Sequence, residues 1–374
     1  MKDYLRKSKP VHFVFPIDGD CINSGDGKRV GNDLLVNVKV SAPENAEVYV
    51  NDLKAEYKGE YFEVEMLFDT YRTGLTAIDK VSGESDNIAV FKLHAPENKF
   101  RLSSDDNILF LKDIAKNQDK YVSIFDNPYL KMYKRAHDAT GVCVHLNLFY
   151  ETGADTTAEG YFNLTMVPDK YKAEWEANAN WLRLSFHSRT NEPLWPYKHT
   201  DHTKITTDCK LVMDEIKRFA GEKALAKSTT LHFGSTNVIG VRALRTLGYQ
   251  NLAAYFEFDN EGNTMVAYHY PKDLVAYLGE RDFWKDTEED VMYCRIDRVL
   301  NLAKTVDGNL DVVKEVFKNP TRGKFIELMI HEQYFYETYG AYIPAFGDII
   351  LENCKWLKEQ GYESTFLQDV VAEN

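Results

Sequence analysis

Between residues 11 and 93, apolar side chains recur at every second position in the short runs VHFVFP, LLVNVKV, EVYVND, YFEVEM and NIAVFKL. Turn-forming clusters such as DGDCINSGDG and SAPENA separate them. In LLVNVKV, Leu35, Asn37 and Lys39 alternate with Val36, Val38 and Val40, as a strand with one packed and one solvated face requires. Strand-length segments with period-two alternation and no helical period predict an antiparallel β-sandwich. After His94-Ala-Pro-Glu-Asn-Lys, a polar bridge, the texture changes. Ser103-Ser104-Asp105-Asp106, ahead of Ile108, Leu109, Leu111 and Ile114, reads as a helix start with capping residues. These signals divide the chain into a first unit, 1–98, and a second, 99–374.

In the second unit strands alternate with helices. Pro128 opens a helix ending at Gly141, before a strand at 142–149; Pro168 opens another, before 182–186. Ile205, Cys209, Val212, Ile216 and Phe219 fall at helical spacing ahead of a strand at 229–233, and Val241, Leu244 and Leu247 lead through Gly248 to 252–258. Strands at 291–296 and 325–330 follow, then an amphipathic helix at 346–360 that stops at Gly361. About seven such repeats, with no glycine-rich nucleotide loop after any strand, predict a distorted (β/α) barrel rather than an open doubly wound sheet. The whole is a multidomain chain, an all-β unit followed by the barrel.

Composition narrows the class. With 44 % apolar and 13 % aromatic residues, the 374-residue chain has ample surface to bury, which excludes a disordered protein. The 45 basic against 58 acidic residues leave a net charge of -13, a surface that repels a phosphate backbone, so nucleic acid is excluded as a partner. No stretch is long and apolar enough to span a membrane, and the basic start MKDYLRKSKPV is not followed by the apolar run of a signal peptide. The reading is a cytoplasmic protein; a leader removed in processing would leave the same text. Five cysteines without a CxxC pair sit mostly in apolar runs and imply neither a disulfide framework nor a zinc ribbon. Nothing in the chain specifies an oligomeric state.

Barrel enzymes place their chemistry at the C-terminal ends of the strands. There, NLFYETG ends in Tyr150 and Glu151, LRLSFHSRTNEP in His187, TTLHFGSTN in His232, and FIELMIHEQYFY in His331 and Glu332, while MYCRIDRVLN leads to Asp297. Glu327 and Glu332 lie on one strand and face opposite sides, so a glycosidase pair needs Glu151 or Asp297 from another strand. His199 and His202, in PYKHTDHTK, belong to a polar loop. Trp181, Trp195, Tyr197, Tyr334, Phe335, Tyr336, Tyr339 and Tyr342 cluster near the strand ends, where they either stack against sugar rings or pack the barrel rim.

These motifs resemble the polysaccharide deacetylases of the NodB-homology group, distorted (β/α) barrels that remove acyl groups from amino sugars with a divalent metal. NLFYETG is similar to the family's strand ending TFDDG, FHSRTN to its H-S/T-x-x-H, LHFGSTN in position to its R-x-P-Y-G turn, and Leu328-Met329-Ile330-His331 to its closing Leu-x-His. The resemblance implies Glu151 and His187 as metal ligands, zinc or a similar ion as cofactor, and an acetylated glycan as substrate; His232 or Glu332 is then left to complete the shell. It sets Tyr150 in place of the general-base aspartate and Asn191 in place of the second histidine. An unperturbed phenol titrates near ~10, so Glu332 or Glu192 is the better base, and His331 the general acid. Asn191, Trp195, Tyr197, Tyr334 and Asp297 would line the substrate. The first unit resembles immunoglobulin-like accessory domains of carbohydrate-active enzymes, through its "AP, V-x-V-N-D, aromatic strand" pattern. Two alternatives follow from the departures: a glycan-binding barrel that has lost its metal, and a metal-free glycosidase using Glu151 with Glu332.

Overall fold

The computed structural model describes residues 2–153 and 160–372. Its N-terminal part consists of two stacked sheets. One orders His12–Phe15, Asp33–Ser41, Phe62–Phe68 and Glu56–Tyr57, with Lys28–Val30 on Asp33–Ser41; the other orders Cys21–Ile22, Ser85–Lys92, Arg72–Asp79, Val48–Val50 and Leu53–Lys54. All these pairings are antiparallel except that of Cys21–Ile22 with Ser85–Lys92. Val36, Val38 and Val40 are fully buried and share a core with Val48, Val50, Leu75, Ala77, Ile88 and Val90 of the facing sheet. The strand Arg72–Asp79 has no clear alternation in its sequence, because of its eight residues only Leu75, Ala77 and the terminal Asp79 point inward.

This part is fastened to the rest of the chain by backbone and ion pairs. Lys285 N–H donates to the Gly19 carbonyl at 2.8 Å, Trp284 Nε1 to the Asp18 carbonyl at 2.8 Å, and Asp20 bridges Trp284 in antiparallel fashion. Arg281, 6 % exposed, meets Asp20 at 2.9 Å and Asp26 at 2.5 Å. Cys21, Phe91 and Leu93 pack with Phe283, Met292, Cys294 and Phe325 in a small core of their own.

The second part is built on parallel strands: β1 (Lys99–Asn107), β2 (Val144–Phe149), β3 (Leu182–Ser188), β4 (Ser228–Thr229), β5 (Asn251–Ala254), β6 (Val291–Arg295) and β7 (Phe325–His331). One sheet runs β3-β2-β1-β7 with Arg298–Val299 beyond β7; the other runs β4-β5-β6, with Phe283–Asp286 antiparallel on β6. A parallel bridge between Leu184 and Leu225 links them. Helices cover the strands, among them Pro128–Thr140, capped by the left-handed Gly141, then His202–Phe219, Val306–Lys318 and Phe346–Glu359. None of the helices among the described residues is long and apolar enough to cross a membrane.

Two expectations are corrected. Residues 103–106 do not cap a helix: they are the end of β1, and α1 (Leu109–Lys116) has Ile108 at its N-cap without a side-chain bond. The strand expected at 229–233 stops at Thr229; His232–Gly234 forms a single tight turn in which Phe233 has φ 58°. The first has a visible cause: the inward positions of β1 are polar, because Arg101, Ser103, His145 and Glu327 fill the interior with an ion pair and its hydrogen bonds.

The seam between the two parts makes a stability test. Gly19 has φ +81°, and a Cβ there would fall 1.9 Å from the Lys285 carbonyl oxygen. Gly19→Ala is expected to lower the unfolding free energy by about 2 kcal/mol or more through steric conflict and left-handed strain, measured by denaturant titration.

Candidate metal centre

At the end of β1 the chain gains one residue. Ser104 pairs with Leu146 and Asn107 with Leu148, so three steps on β1 match two on β2. The extra residue is accommodated at Asp106, whose φ of 63° is left-handed, a conformation aspartate tolerates better than most residues. In a regular strand consecutive side chains face opposite ways. The bulge removes that constraint, so Asp105 bonds within the strand interior while Asp106 reaches the neighbouring strand ends.

Three side chains meet there. Ligand atoms of Asp106, His187 and His232 all lie within 4.8 Å of one another. Nδ1–H of His187 donates to the Thr230 carbonyl at 2.6 Å, leaving Nε2 3.1 Å from Asp106 Oδ1. Nε2–H of His232 donates to the Asn191 carbonyl at 3.1 Å, leaving Nδ1 3.4 Å from the same oxygen and 3.0 Å from His187 Nε2. Each imidazole is thus held by a backbone carbonyl in the tautomer that turns a lone pair inward. Both histidines are buried and Phe149 packs edge-on against His232, so neither ring is free to turn away.

Charge is organised around this point. Burial would raise the Asp106 carboxyl, but its contacts with His187 and His232 and the nearby His331 hold it well below the usual carboxylate range. Burial lowers His187, and the charges of Asp105 and Asp106 more than reverse it, so the imidazole is raised above its ordinary value. One carboxylate and two imidazoles form a donor set that could hold a divalent transition ion. Asp105, 2 % exposed, is held by Asn147 Nδ2 on β2 at 2.6 Å.

The end of β7 contributes three consecutive residues. His331 Nδ1–H donates to Asn301 Oδ1 at 2.9 Å. Glu332 is fully buried and accepts the backbone N–H groups of Ile108, Leu109 and Phe110 at 2.6, 2.8 and 2.6 Å, and the Tyr336 hydroxyl at 2.7 Å. Gln333 Nε2 donates to Asp106 Oδ2 at 3.0 Å.

Of the residues singled out in the sequence, the structure brings His187 and His232 together and sets His331 near them. It places the others elsewhere. Glu151 accepts from Arg189 Nε at 2.8 Å and from the Tyr161 hydroxyl, outside the cluster. Tyr150 is pushed further up by burial, away from a base's range. Glu332 is spent on α1. Asp297 is buried, bonded to Arg295 at 2.8 Å and to the Glu327 N–H at 3.0 Å. Tyr197 is fully buried, its hydroxyl donating to Asp208 at 3.2 Å. Asn191 touches His232 only through its main chain. Trp195, half exposed with φ 52°, lies 5.7 Å from Phe233, and Tyr334 lies 6.2 Å from His331. The carboxylate that joins the histidines is therefore in the SSDDN at the end of β1, not in NLFYETG. Two adjacent aspartates ahead of an apolar helix were its visible signal.

No protein-family model matches the chain, and no curated protein matches it. Among solved structures it is similar to the 4-alpha-glucanotransferase of Thermococcus litoralis (10 % identity, TM-score 0.48, 74 % of this chain and 40 % of that one). It is also similar to the carbohydrate deacetylase Agd3 (9 %, 0.42, 91 % and 71 %) and to a Streptococcus mutans CE4 esterase (13 %, 0.34, 72 % and 85 %). The chain thus spans less than half of the glucanotransferase. At such identities and TM-scores these likenesses assign no activity to it.

Glu332 gives this site a pH signature in stability. Burial pushes its carboxyl up to about 7 against the pull of its four donors. A raised carboxyl favours the protonated fold, so its contribution is full below about 4.5, the ordinary value, and is lost as pH rises through about 7. Wild-type protein is expected to lose stability relative to Glu332→Gln across that window, read by equilibrium denaturation at pH 4.5, 6 and 8.

Proposed function

We propose that the protein is a metal-dependent hydrolase that removes acetyl groups from an amino sugar or acetylated glycan. The observation that carries this reading is the convergence of Asp106, His187 and His232 at the strand ends, beside a second buried carboxylate, Asp105. On this reading residues 99–374 form a distorted (β/α) barrel of about seven strands, and 1–98 form an immunoglobulin-like unit that stiffens it through the Gly19–Lys285 seam. The SSDDN strand end takes the role of the family's TFDDG, with Asp105 as general base and Asp106 as ligand. The aspartate missing at Tyr150 and Glu151 was a motive for the metal-free alternatives, and it is supplied here.

Asp106, His187 and His232 would hold the ion, which supplies Lewis acidity toward a water and the acyl carbonyl. Asp105 takes the proton of the attacking water; Asn147 fixes the carboxylate so that its free oxygen serves as acceptor. His331, with Nδ1–H committed to Asn301, carries the proton for the departing amine or alcohol on Nε2. Trp195 and Phe233, beside His232, offer aromatic faces to a sugar ring, as do Tyr334, beside His331, and Tyr339.

Purified protein is expected to bind zinc and to release acetate from acetylated amino sugars. His187→Ala should abolish both. Asp105→Asn should keep the metal while activity falls by about 10²-fold or more, as followed by metal analysis and acetate release. Release of new reducing ends without acetate would transfer the assignment to a glycosidase. Trp195→Ala is expected to raise KM for oligosaccharides several-fold (about 1 kcal/mol or more of lost stacking) with kcat nearly unchanged, checked by steady-state kinetics.

A further inference from the structure

Asp106 presents its two oxygens to different partners. Oδ1 faces His187 Nε2 at 3.1 Å and His232 Nδ1 at 3.4 Å, whereas Oδ2 accepts Gln333 Nε2 at 3.0 Å. To make that bond the amide turns its NH₂ toward Asp106 and its oxygen away. The consequence falls on the other end of the side chain: Gln333 Oε1 is buried with no hydrogen-bond partner among the described residues. Leaving a buried carbonyl unmatched is unfavourable, and a methionine of similar length would avoid it. The amide persists where, among the described residues, it bonds to a carboxylate oxygen turned away from the histidines. Neighbouring Glu332 anchors this segment to α1, so Gln333 approaches Asp106 from a fixed point.

We infer that Gln333 is a positioning residue that keeps Asp106 a one-oxygen ligand: by occupying Oδ2 it presents Oδ1 alone to the ion and leaves the remaining coordination position open. This rests on the metal-binding reading above. A ligating carboxylate that can engage through both oxygens fills an extra coordination position, whereas catalytic ions keep one free for water. Nothing in the resemblance to known deacetylases supplies this residue; it lies beyond the Leu-x-His motif.

The test compares wild-type protein with Gln333→Met. Zinc affinity is measured by competition with a chromophoric chelator, and the Co²⁺-loaded proteins are compared by visible absorption. Expected are a weakening of zinc binding by about 10- to 100-fold, the usual effect of removing an outer partner of a metal ligand, and a weaker Co²⁺ d–d band as Asp106 gains a second bond and coordination rises. The metal-free melting temperature should change little, because removal of the unmatched oxygen offsets the lost bond to Asp106 Oδ2. A residue of merely structural importance would lower that temperature and leave the Co²⁺ band alone. If wild-type protein binds zinc and the variant matches it in affinity and Co²⁺ spectrum, the role of Gln333 is overturned while the metal site stands. If wild-type protein binds neither ion, both fall.

Discussion

The carboxylate of Glu332 joins the exits of two strands that the chain separates by more than two hundred residues. It leaves β7, crosses to the start of α1 and takes the N–H groups of Ile108, Leu109 and Phe110, which have no partner within the helix. A negative side chain at this helix end satisfies donors and complements the dipole together. Asp105 and Asp106 lie just ahead of those donors, so the turn that presents them is clamped from the adjacent strand of the sheet. Without that clamp the left-handed Asp106 would be a strained residue at a loose strand end, and strained conformations persist only where the surroundings determine them.

The centre is a product of long-range assembly. Asp106 leaves β1 through the bulge, His187 sits near the end of β3, and His232 stands on the tight turn after β4. Each is oriented by backbone: the Thr230 carbonyl for His187, the Asn191 carbonyl for His232. Such bonds depend on the path of the main chain and not on the neighbouring side chains, so the cluster tolerates an unusual sequence around it.

Much of the architecture was legible where one side of an element is apolar. The valine alternation in Asp33–Ser41, the helix between Pro128 and Gly141, and the strands at 144–149 and 325–331 all follow from simple periodicity. His187, His232 and His331 were found because each interrupts or closes an apolar run. Asp105 and Asp106 were missed because β1 is not an apolar run: its inward residues are Arg101, Ser103 and Asp105, and Ser-Ser-Asp-Asp before a helix has the same composition as a cap. Glu151 misled for the converse reason, since an acidic residue after an apolar strand is equally at home on a surface pair with Arg189. The bulge itself leaves no mark in the pattern; it becomes visible only when β1 is set beside β2.

The buried pair of Arg101 and Glu327 explains why β1 and β7 keep the alignment the site needs. The two residues stand directly opposite in the register, and four residues further on Asp105 stands opposite His331. Net stability is a weak argument for such a pair, since desolvating two charges consumes most of their attraction. Its effect is on the alternatives. A slip of one residue would set Arg101 against Ile326 or Leu328, burying a guanidinium without its carboxylate at a cost of about 3–5 kcal/mol. The hydrogen bonds of Ser103 and His145 would be lost with it. An apolar strand interior would pay far less for the same slip, because one aliphatic contact resembles another. The polar interior that hid β1 from view in the sequence is therefore what holds His331, Glu332 and Gln333 at the height of Asp106.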